Sequence, residues 1–208
     1  TRIDDQIETD GAIAGVNAGA FFDNGTSDPA VGSVPEGLVY SKGVCKWTTG
    51  SPPNGIKGFA GFNKDNILVV AQDNLSKAQA EELNIRDGCC FGPVLIMNGE
   101  INQEAYNSNS GWNPRTAIGQ RKDGAVVFVC IDGRQAGSMG GTYKDVIDIM
   151  IEYGVVNACN MDGGSSSIMV YRDTYGLFGE AGTVQVINSY SLLQERPRKM
   201  PTFWMVAP

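Results

Sequence analysis

Two aspartates, each at the end of an apolar run and each followed by glycine, are the side chains best placed to carry chemistry. Asp132 follows the run 125–131, and Asp162 follows the run 155–161. Both runs predict strands, and loops at strand ends are where a rigid scaffold places reactive groups. A single Asp-Gly pair is usually an ordinary turn. Two such pairs, after strands that flank one helix, favour a site with two carboxylates.

A strand–helix–strand unit is predicted to position these aspartates. Thr142 is a suitable helix N-cap, the segment 143–153 repeats apolar residues on one face, and Gly154 provides the stop. A helix that joins two strands of one sheet forms a right-handed crossover connection, which would place the two strands parallel in that sheet. We therefore expect Asp132 and Asp162 to emerge at the same sheet edge.

The loop at 162–167 reads Asp-Gly-Gly-Ser-Ser-Ser and lies between two predicted strands. Gly163 and Gly164 would let backbone N–H groups approach an anion, and the hydroxyls of Ser165 and Ser166 add short donors. An ordinary surface loop is the alternative on spacing alone. The lysine of a P-loop is missing, which excludes a P-loop NTPase.

Other candidate binding residues lie next to predicted strands. Arg115 follows Pro114 at the mouth of a strand, where a guanidinium can hold a phosphate or a carboxylate through two hydrogen bonds. A salt bridge to one of the 23 acidic residues is the alternative. The segment 17–23 combines small residues with Phe21 and Phe22, as a sugar-binding wall would, although these two aromatic residues also suit a core.

The composition excludes several kinds of catalysis. The chain has no histidine, which excludes Ser-His-Asp and Cys-His catalysis, imidazole zinc sites and haem ligation by histidine. Its five cysteines form no C-x-x-C pair, so neither a zinc ribbon nor a thioredoxin-type motif is supported. The formal net charge of −7, without a basic cluster, argues against nucleic acid as a partner. No apolar run is long enough to span a membrane.

These patterns predict an α+β fold: a single domain over residues 1–208, with a mixed central β-sheet, many short strands and two main helices. The length suits one domain, and 27 glycines indicate many tight turns. Besides the helix at 143–153, a helix is predicted after Ser76, whose spacing to Gln79 is that of a capping box. Asn98-Gly99 is typical of a type I′ turn. The predicted strands are 12–18, 37–40, 56–62, 66–71, 93–97, 116–120, 125–131, 155–161, 168–171, 183–187 and 202–206.

Taken in order, several of these segments resemble the phosphodiester glycosidase family over nearly the whole chain. The resemblance rests on Val16-Asn17-Ala18-Gly19 with Phe21-Phe22-Asp23, Gly92-Pro93-Val94-Leu95 with Asn98-Gly99, Pro114-Arg115-Thr116-Ala117-Ile118-Gly119, Asp132-Gly133-Arg134, Asn160-Met161-Asp162-Gly163-Gly164-Ser165-Ser166 and Glu195-Arg196-Pro197. Two departures are visible. Ser165 stands where the family commonly has a third glycine, and Ala20 lengthens the first motif.

The resemblance implies a hydrolase that cleaves a sugar-1-phosphodiester, such as an N-acetylglucosamine-1-phosphodiester, at the anomeric C–O bond to give a free sugar and a phosphomonoester. This reaction passes through an oxocarbenium-like state that a nearby carboxylate stabilises. Carried over by motif, the catalytic candidates are Asp132 and Asp162. The substrate-binding candidates are the arginines that would hold the phosphodiester and the hydrogen-bonding or close-approach residues, namely Arg115, Arg134, Arg196, Asn17, Gly163, Gly164, Ser165 and Ser166. A secreted or cell-surface location and a link to exopolysaccharide follow from the resemblance alone. We expect no cofactor and no metal.

Three alternatives stay open. The first is a non-catalytic carbohydrate- or phosphoglycan-binding module on the same fold. The second is a calcium-stabilised domain using Asp23, Asp132 and Asp162, although the regular D-x-D-x-D loop is missing. The third is a transferase, which shares the first half-reaction with a hydrolase. Carboxyl groups about 5–5.5 Å apart would indicate a retaining path, and a separation of about 6.5–9.5 Å an inverting one.

Overall fold

The computed structural model describes residues 1–22, 32, 34–49, 55–189 and 196–207. The helices in this part of the chain are α1 (Ile3–Asp10), α2 (Lys77–Glu82), α3 (Gln103–Asn107) and α4 (Tyr143–Glu152). Its strands are β1 (Ala14–Asn17), β2 (Phe21–Phe22), β3 (Val34–Pro35), β4 (Leu38–Ser41), β5 (Val44–Thr48), β6 (Phe59–Asn63), β7 (Leu68–Ala71), β8 (Ile85–Cys90), β9 (Val94–Met97), β10 (Glu100–Ile101), β11 (Arg115–Arg121), β12 (Val126–Ile131), β13 (Val155–Asn160), β14 (Met169–Arg172), β15 (Val184–Val186) and β16 (Phe203–Val206). The predicted α+β class is confirmed.

The strands form three larger sheets and one short pair. The central sheet has the order β10-β9-β13-β11-β12. A second sheet has the order β15-β14-β1-β16, a third has the order β5-β4-β8-β6-β7, and β2 pairs with β3. Every pairing between these described strands is antiparallel. Adjacent strands therefore end at opposite edges of a sheet, and only alternate strands share an edge.

The predicted strand–helix–strand unit is present in the central sheet, with one further strand inserted into it. Both β12 and β13 pair with β11. Since each is antiparallel to β11, the two strands run in the same direction, as predicted. Asp132 and Asp162 therefore follow strands that end at the same edge of the sheet.

Local capping residues set the limits of α4. The Thr142 hydroxyl accepts a hydrogen bond from the Asp145 N–H (3.2 Å), and the Asp145 carboxylate accepts one from the Thr142 N–H (2.7 Å). These bonds from Thr142 hold the pKa of Asp145 below its usual value. Gly154 adopts a φ of +74°, which ends the helix as predicted. The buried face of α4 packs on the central sheet and consists of Val146, Ile147 and Met150.

Two further local predictions are confirmed. Ser76 caps α2 through a reciprocal capping box with Gln79. Asn98 and Gly99 have φ values of +52° and +85° and join β9 to β10 in a hairpin. These features depend on residues close together in sequence, which is why their residue types indicate them directly.

The first helix is not indicated by the sequence pattern. Only Ile3 and Ile7 of α1 are buried, and they pack with Ile168 and Val170 of the second sheet. Two apolar residues one turn apart give too weak a periodic signal to predict a helix. None of the helices in the described residues is long and apolar enough to cross a membrane.

Strand β11 of the central sheet is buried on both of its faces. Ile118 packs with Val16 and Met161, whereas the preceding Ala117 packs in the cluster that contains the α4 side chain Met150. This alternation is expected because successive strand residues point to opposite faces. The residues at the ends of β11 and β13 are therefore held by a packed core on both sides.

Candidate active site

A cavity of about 470 Å³ opens where β11 begins and β13 ends. Its polar lining comes from Asn113, Arg115, Arg134, Asn160, the loop 162–166 and Arg198. Its apolar lining includes Phe21, Ile56, Phe91 and Tyr143. One carboxylate, three guanidinium groups and several aromatic side chains thus meet in one concave site, which suits a ligand that carries an anionic group.

The loop after β13 is pressed against neighbouring backbone. The Asp162 N–H donates to the Ala18 carbonyl (3.0 Å), and the Gly164 N–H donates to the Pro114 carbonyl (3.0 Å). A Cβ on Gly163 would lie 2.8 Å from that same Pro114 oxygen, and Gly164 has a φ of +61°. Both positions therefore favour glycine for a physical reason, close approach in one case and a left-handed backbone in the other.

The Asp162 side chain lines the cavity in a fixed orientation. Its Oδ1 accepts a hydrogen bond from the N–H of Gly163 (2.9 Å). The Asp162 carbonyl accepts from the Asn17 side-chain amide (2.6 Å). Side chain and main chain are thus both restrained, which is the preorganisation that electrostatic stabilisation of a developing positive charge requires.

Arg134 lies over the glycine loop. A Cβ on Gly164 would be 3.2 Å from its Nη1, and its Nη2 donates to the Asn113 side-chain oxygen (2.8 Å). Arg134 itself has a φ of +57°, which is uncommon for a residue with a long side chain. Such backbone strain clusters at functional sites, where the surrounding structure holds it.

Arg115 lines the cavity, but its guanidinium is bonded mainly to backbone. Its Nε donates to the Gly141 carbonyl (3.0 Å), and its Nη2 donates to the carbonyls of Ser110 (2.7 Å) and Gly111 (3.0 Å). The guanidinium also stacks over the Tyr143 ring at 4.4 Å from the centroid. Arg115 therefore ties together the segments that frame the cavity.

Arg198 is a cavity residue that the sequence reasoning missed. It is 7% exposed, and its guanidinium lies 4.9 Å from the centroid of the Phe21 ring. Its Nη1 donates to the Ser165 hydroxyl (3.1 Å) and approaches the Ser166 hydroxyl (3.5 Å). The family motif Glu195-Arg196-Pro197 ends one residue before it, and nothing in the local pattern distinguishes Arg198 from the other arginines.

Asp132 lies near the same sheet edge as Asp162 but is not part of the cavity lining. Its carboxylate accepts hydrogen bonds from the Asn188 side chain (3.0 Å) and from the Ser189 N–H (3.0 Å). Its carbonyl accepts from the Ser138 hydroxyl (2.7 Å). These contacts join the loop that carries Arg134 to the segment at 188–189.

Asn17 and Arg196 also lie outside the cavity lining. Asn17 is 0% exposed, and its amide bonds internally to Asp162, Thr116 and Ile168. Arg196 forms exposed ion pairs with Asp4 (2.8 Å) and Asp5 (2.7 Å) on α1. The cavity thus brings together these predicted site residues: Asp162, Arg115, Arg134, Gly163, Gly164, Ser165 and Ser166.

Two cysteines precede site residues and remain protonated thiols. Burial, assisted by the nearby Asp132 carboxylate, raises the pKa of Cys130 to about 12. Burial also raises the pKa of Cys159, well above its ordinary value. Because the thiolate is the nucleophilic form, neither side chain suits nucleophilic catalysis near neutral pH.

The described residues contain no cluster of three or more cysteines, aspartates and glutamates arranged to hold a metal ion. Asp23, one of the three aspartates in the calcium hypothesis, lies outside the described residues, as does Glu195 of the last motif.

Comparison with known proteins supports the resemblance seen in the sequence. The family model for phosphodiester glycosidase matches residues 10–207. The SPbeta prophage-derived uncharacterized protein YomE of Bacillus subtilis (strain 168) is 46% identical over 93 residues, which are 43% of this chain and 14% of that protein. The matched segment is therefore a small part of the length of that relative.

Two solved structures share the fold. The catalytic domain of zebrafish N-acetylglucosamine-1-phosphodiester α-N-acetylglucosaminidase, auto-inhibited by its pro-peptide, has a TM-score of 0.73 and 21% identity, covering 100% of this chain and 67% of that one. A hypothetical protein from Synechocystis has a TM-score of 0.61 and 16% identity, covering 89% of this chain and 50% of that one. Since the family model spans residues 10–207, the chain belongs to the phosphodiester glycosidase family.

Proposed function

We propose that this chain hydrolyses a glycosyl phosphodiester at the anomeric C–O bond, with the sugar-bearing carbon beside Asp162 and the phosphate between Arg134 and Arg198. The observation that carries the proposal is the meeting of one restrained carboxylate with these guanidinium groups in a single cavity. Family membership supports the reaction class.

The phosphate half of the substrate is assigned to the glycine–serine loop and its two arginines. Arg134 lies over Gly164, and Arg198 donates a hydrogen bond to the Ser165 hydroxyl. Guanidinium groups hold phosphate oxygens by charge-assisted hydrogen bonds, and both arginines belong to the cavity lining. Arg115, whose donors already serve three carbonyls, acts as a positioning residue.

In the reaction, the bond between C1 and the phosphate oxygen breaks, and its electron pair leaves with the phosphomonoester. The oxygen of water forms the new bond to C1 and loses a proton, so the products are a free sugar and a phosphomonoester. The negative charge of Asp162 stabilises the oxocarbenium-like state, directly, by covalent attack or by activating water. A phosphate monoester is a weak base, so its departure makes little demand on a general acid, and a site without histidine is adequate.

Asp132 has a supporting role in this proposal. Its carboxylate bonds to Asn188 and Ser189, and its carbonyl bonds to Ser138. It thereby positions the loop that carries Arg134. A secreted or cell-surface location, a role in exopolysaccharide or carbohydrate metabolism and the absence of nucleic acid partners complete the proposal. They rest on the family resemblance and on the net charge of −7.

The test is product analysis with α-GlcNAc-1-phosphate methyl diester, beside an aryl α-GlcNAc glycoside that lacks phosphate. We expect free GlcNAc from the diester, at least a hundredfold less with Asp162→Asn, and weaker diester binding with Arg198→Met. Arg196→Met is the matched control, because Arg196 pairs with α1 at the surface, and it should retain wild-type kinetics. Binding of the diester without any product would favour the carbohydrate-binding module instead.

A further inference from the structure

Asn160 lines the cavity and carries a buried side-chain oxygen without a hydrogen-bond partner among the described residues. It is the last residue of β13, lies two residues before Asp162 and is 2% exposed. Its backbone N–H donates to the Pro93 carbonyl (3.0 Å), and its side-chain Nδ2 donates to the Gly92 carbonyl (3.0 Å). Its Oδ1 has no hydrogen-bond partner among the residues that the structure describes. Because buried polar atoms are nearly always bonded, this oxygen requires an explanation.

The surroundings fix which atom of the amide remains available. The Gly92 carbonyl is an acceptor, so it must face the Nδ2 donor, and the opposite rotamer would place two oxygens together. The available atom is therefore Oδ1, which can only accept a hydrogen bond. A bound ligand must offer it an O–H or an N–H.

This requirement separates the two halves of a glycosyl phosphodiester. The phosphodiester is an anion whose oxygens are acceptors, so it cannot satisfy Oδ1. The sugar carries hydroxyl and amide donors. The cavity already provides Arg134 and Arg198 for the anion. The acceptor of Asn160 therefore belongs to the sugar half, beside the Asp162 carboxylate.

We propose that Asn160 is a specificity-determining residue whose Oδ1 accepts a hydrogen bond from one hydroxyl or amide N–H of the sugar. The inference rests on the proposed function and adds to it a residue that selects the sugar. A substrate that lacks the matching donor leaves Oδ1 buried and unsatisfied, and the site rejects it for that reason.

The test pairs substrate changes with changes of Asn160. The substrates are the α-methyl phosphodiesters of GlcNAc, of glucose and of the 2-, 3-, 4- and 6-deoxyglucoses. With the wild type, we expect one deoxy substrate to lose about tenfold to a hundredfold in kcat/KM. With Asn160→Ala, that loss should disappear while the penalties at the other positions remain. If Asn160 had a purely structural role, Asn160→Ala would lower kcat/KM for all substrates by the same factor, and the deoxy substrate would keep its penalty.

Asn157→Ala is the matched control on the same strand. The Asn157 Oδ1 accepts from the Asn98 N–H (2.7 Å), away from the cavity lining, so this variant should keep the full deoxy penalty. If Asn160→Ala does not fold, the wild-type series decides: a penalty below about threefold at every position, including the exchange of GlcNAc for glucose, overturns the proposal.

Failure of the proposed function gives a different result from failure of this inference. If the wild type hydrolyses none of the diesters, the proposed reaction is wrong. The same comparison is then made by calorimetry, with α-glucose 1-phosphate and its deoxy analogues as probes. A deoxy penalty in Kd that vanishes with Asn160→Ala supports the assignment to the sugar, whereas equal affinities or no binding overturn it.

Discussion

Replacing Asn17 with alanine should destabilise the protein severely, because this side chain joins three segments at the base of the candidate active site. Its Nδ2 donates to the Asp162 carbonyl (2.6 Å). Its Oδ1 accepts from the Thr116 hydroxyl (2.7 Å) and from the Ile168 N–H (3.1 Å). The residue is 0% exposed, so water cannot replace these partners without reorganising the core.

The expected magnitude follows from the three groups that the substitution leaves unbonded. Each intramolecular hydrogen bond contributes about 1 kcal/mol, and a buried group left unsatisfied costs more. For Asn17→Ala, three such groups give a loss of about 3–5 kcal/mol in the free energy of unfolding. Thr116→Val removes one donor with little change of shape and should cost about 1 kcal/mol.

Urea unfolding followed by tryptophan fluorescence measures both values, provided that the m-value is unchanged. The kcat/KM of Asn17→Ala, measured where it is still folded, should also fall, because the Asp162 main chain loses its anchor. Stability within about 1 kcal/mol of the wild type would refute the positioning role. Combined with a loss of activity, that result would restore the sequence-based prediction that Asn17 contacts substrate.

Three further predictions concern single residues. Gly164→Ala should cost about 1–2 kcal/mol of stability in urea and reduce activity, because φ is +61° there and the new Cβ would press on Arg134. Burial opposes ionisation of Asp173, but the N–H groups of 176–179 outweigh it and lower its pKa below 3.8. Thermal unfolding should therefore show stability that is present above pH 4 and lost as pH falls through the native pKa, with a shallower loss for Asp173→Asn. Cys130, with a pKa of about 12, should resist iodoacetamide at pH 8 in the native protein and react once unfolded, as mass spectrometry can show; rapid native labelling would contradict this.

The parts of the fold that sequence predicts well are those specified by near neighbours in the chain. The capping boxes at Ser76 and Thr142 and the turn at Asn98-Gly99 are examples, since their donors and acceptors lie within a few residues. The common edge for Asp132 and Asp162 also follows from the strand–helix–strand pattern, since a helical crossover joins strands that run in the same direction. The insertion of β11 between β12 and β13 does not, because strand order depends on contacts distant in sequence.

The candidate site shows the same division. Residue types alone indicate its glycine–serine loop as a candidate binding loop, and residues 163–166 of that loop line the cavity. The separate surroundings of Arg115, Arg196 and Arg198 could not be read from the chain, because all three are simply arginines near strands or turns. Tertiary packing determines that Arg115 donates to backbone carbonyls and that Arg196 forms surface ion pairs. It also determines that Arg198 lines the cavity.

The position of bond cleavage tests the central claim most directly. The wild type is incubated with α-GlcNAc-1-phosphate methyl diester in water enriched in oxygen-18, and the methyl phosphate product is examined by phosphorus-31 NMR. Attack at C1 predicts methyl phosphate free of oxygen-18, because the bridging oxygen leaves with the phosphate. Oxygen-18 in the phosphate product, or release of GlcNAc-1-phosphate, would show cleavage at phosphorus and contradict the glycosidase mechanism proposed for this cavity.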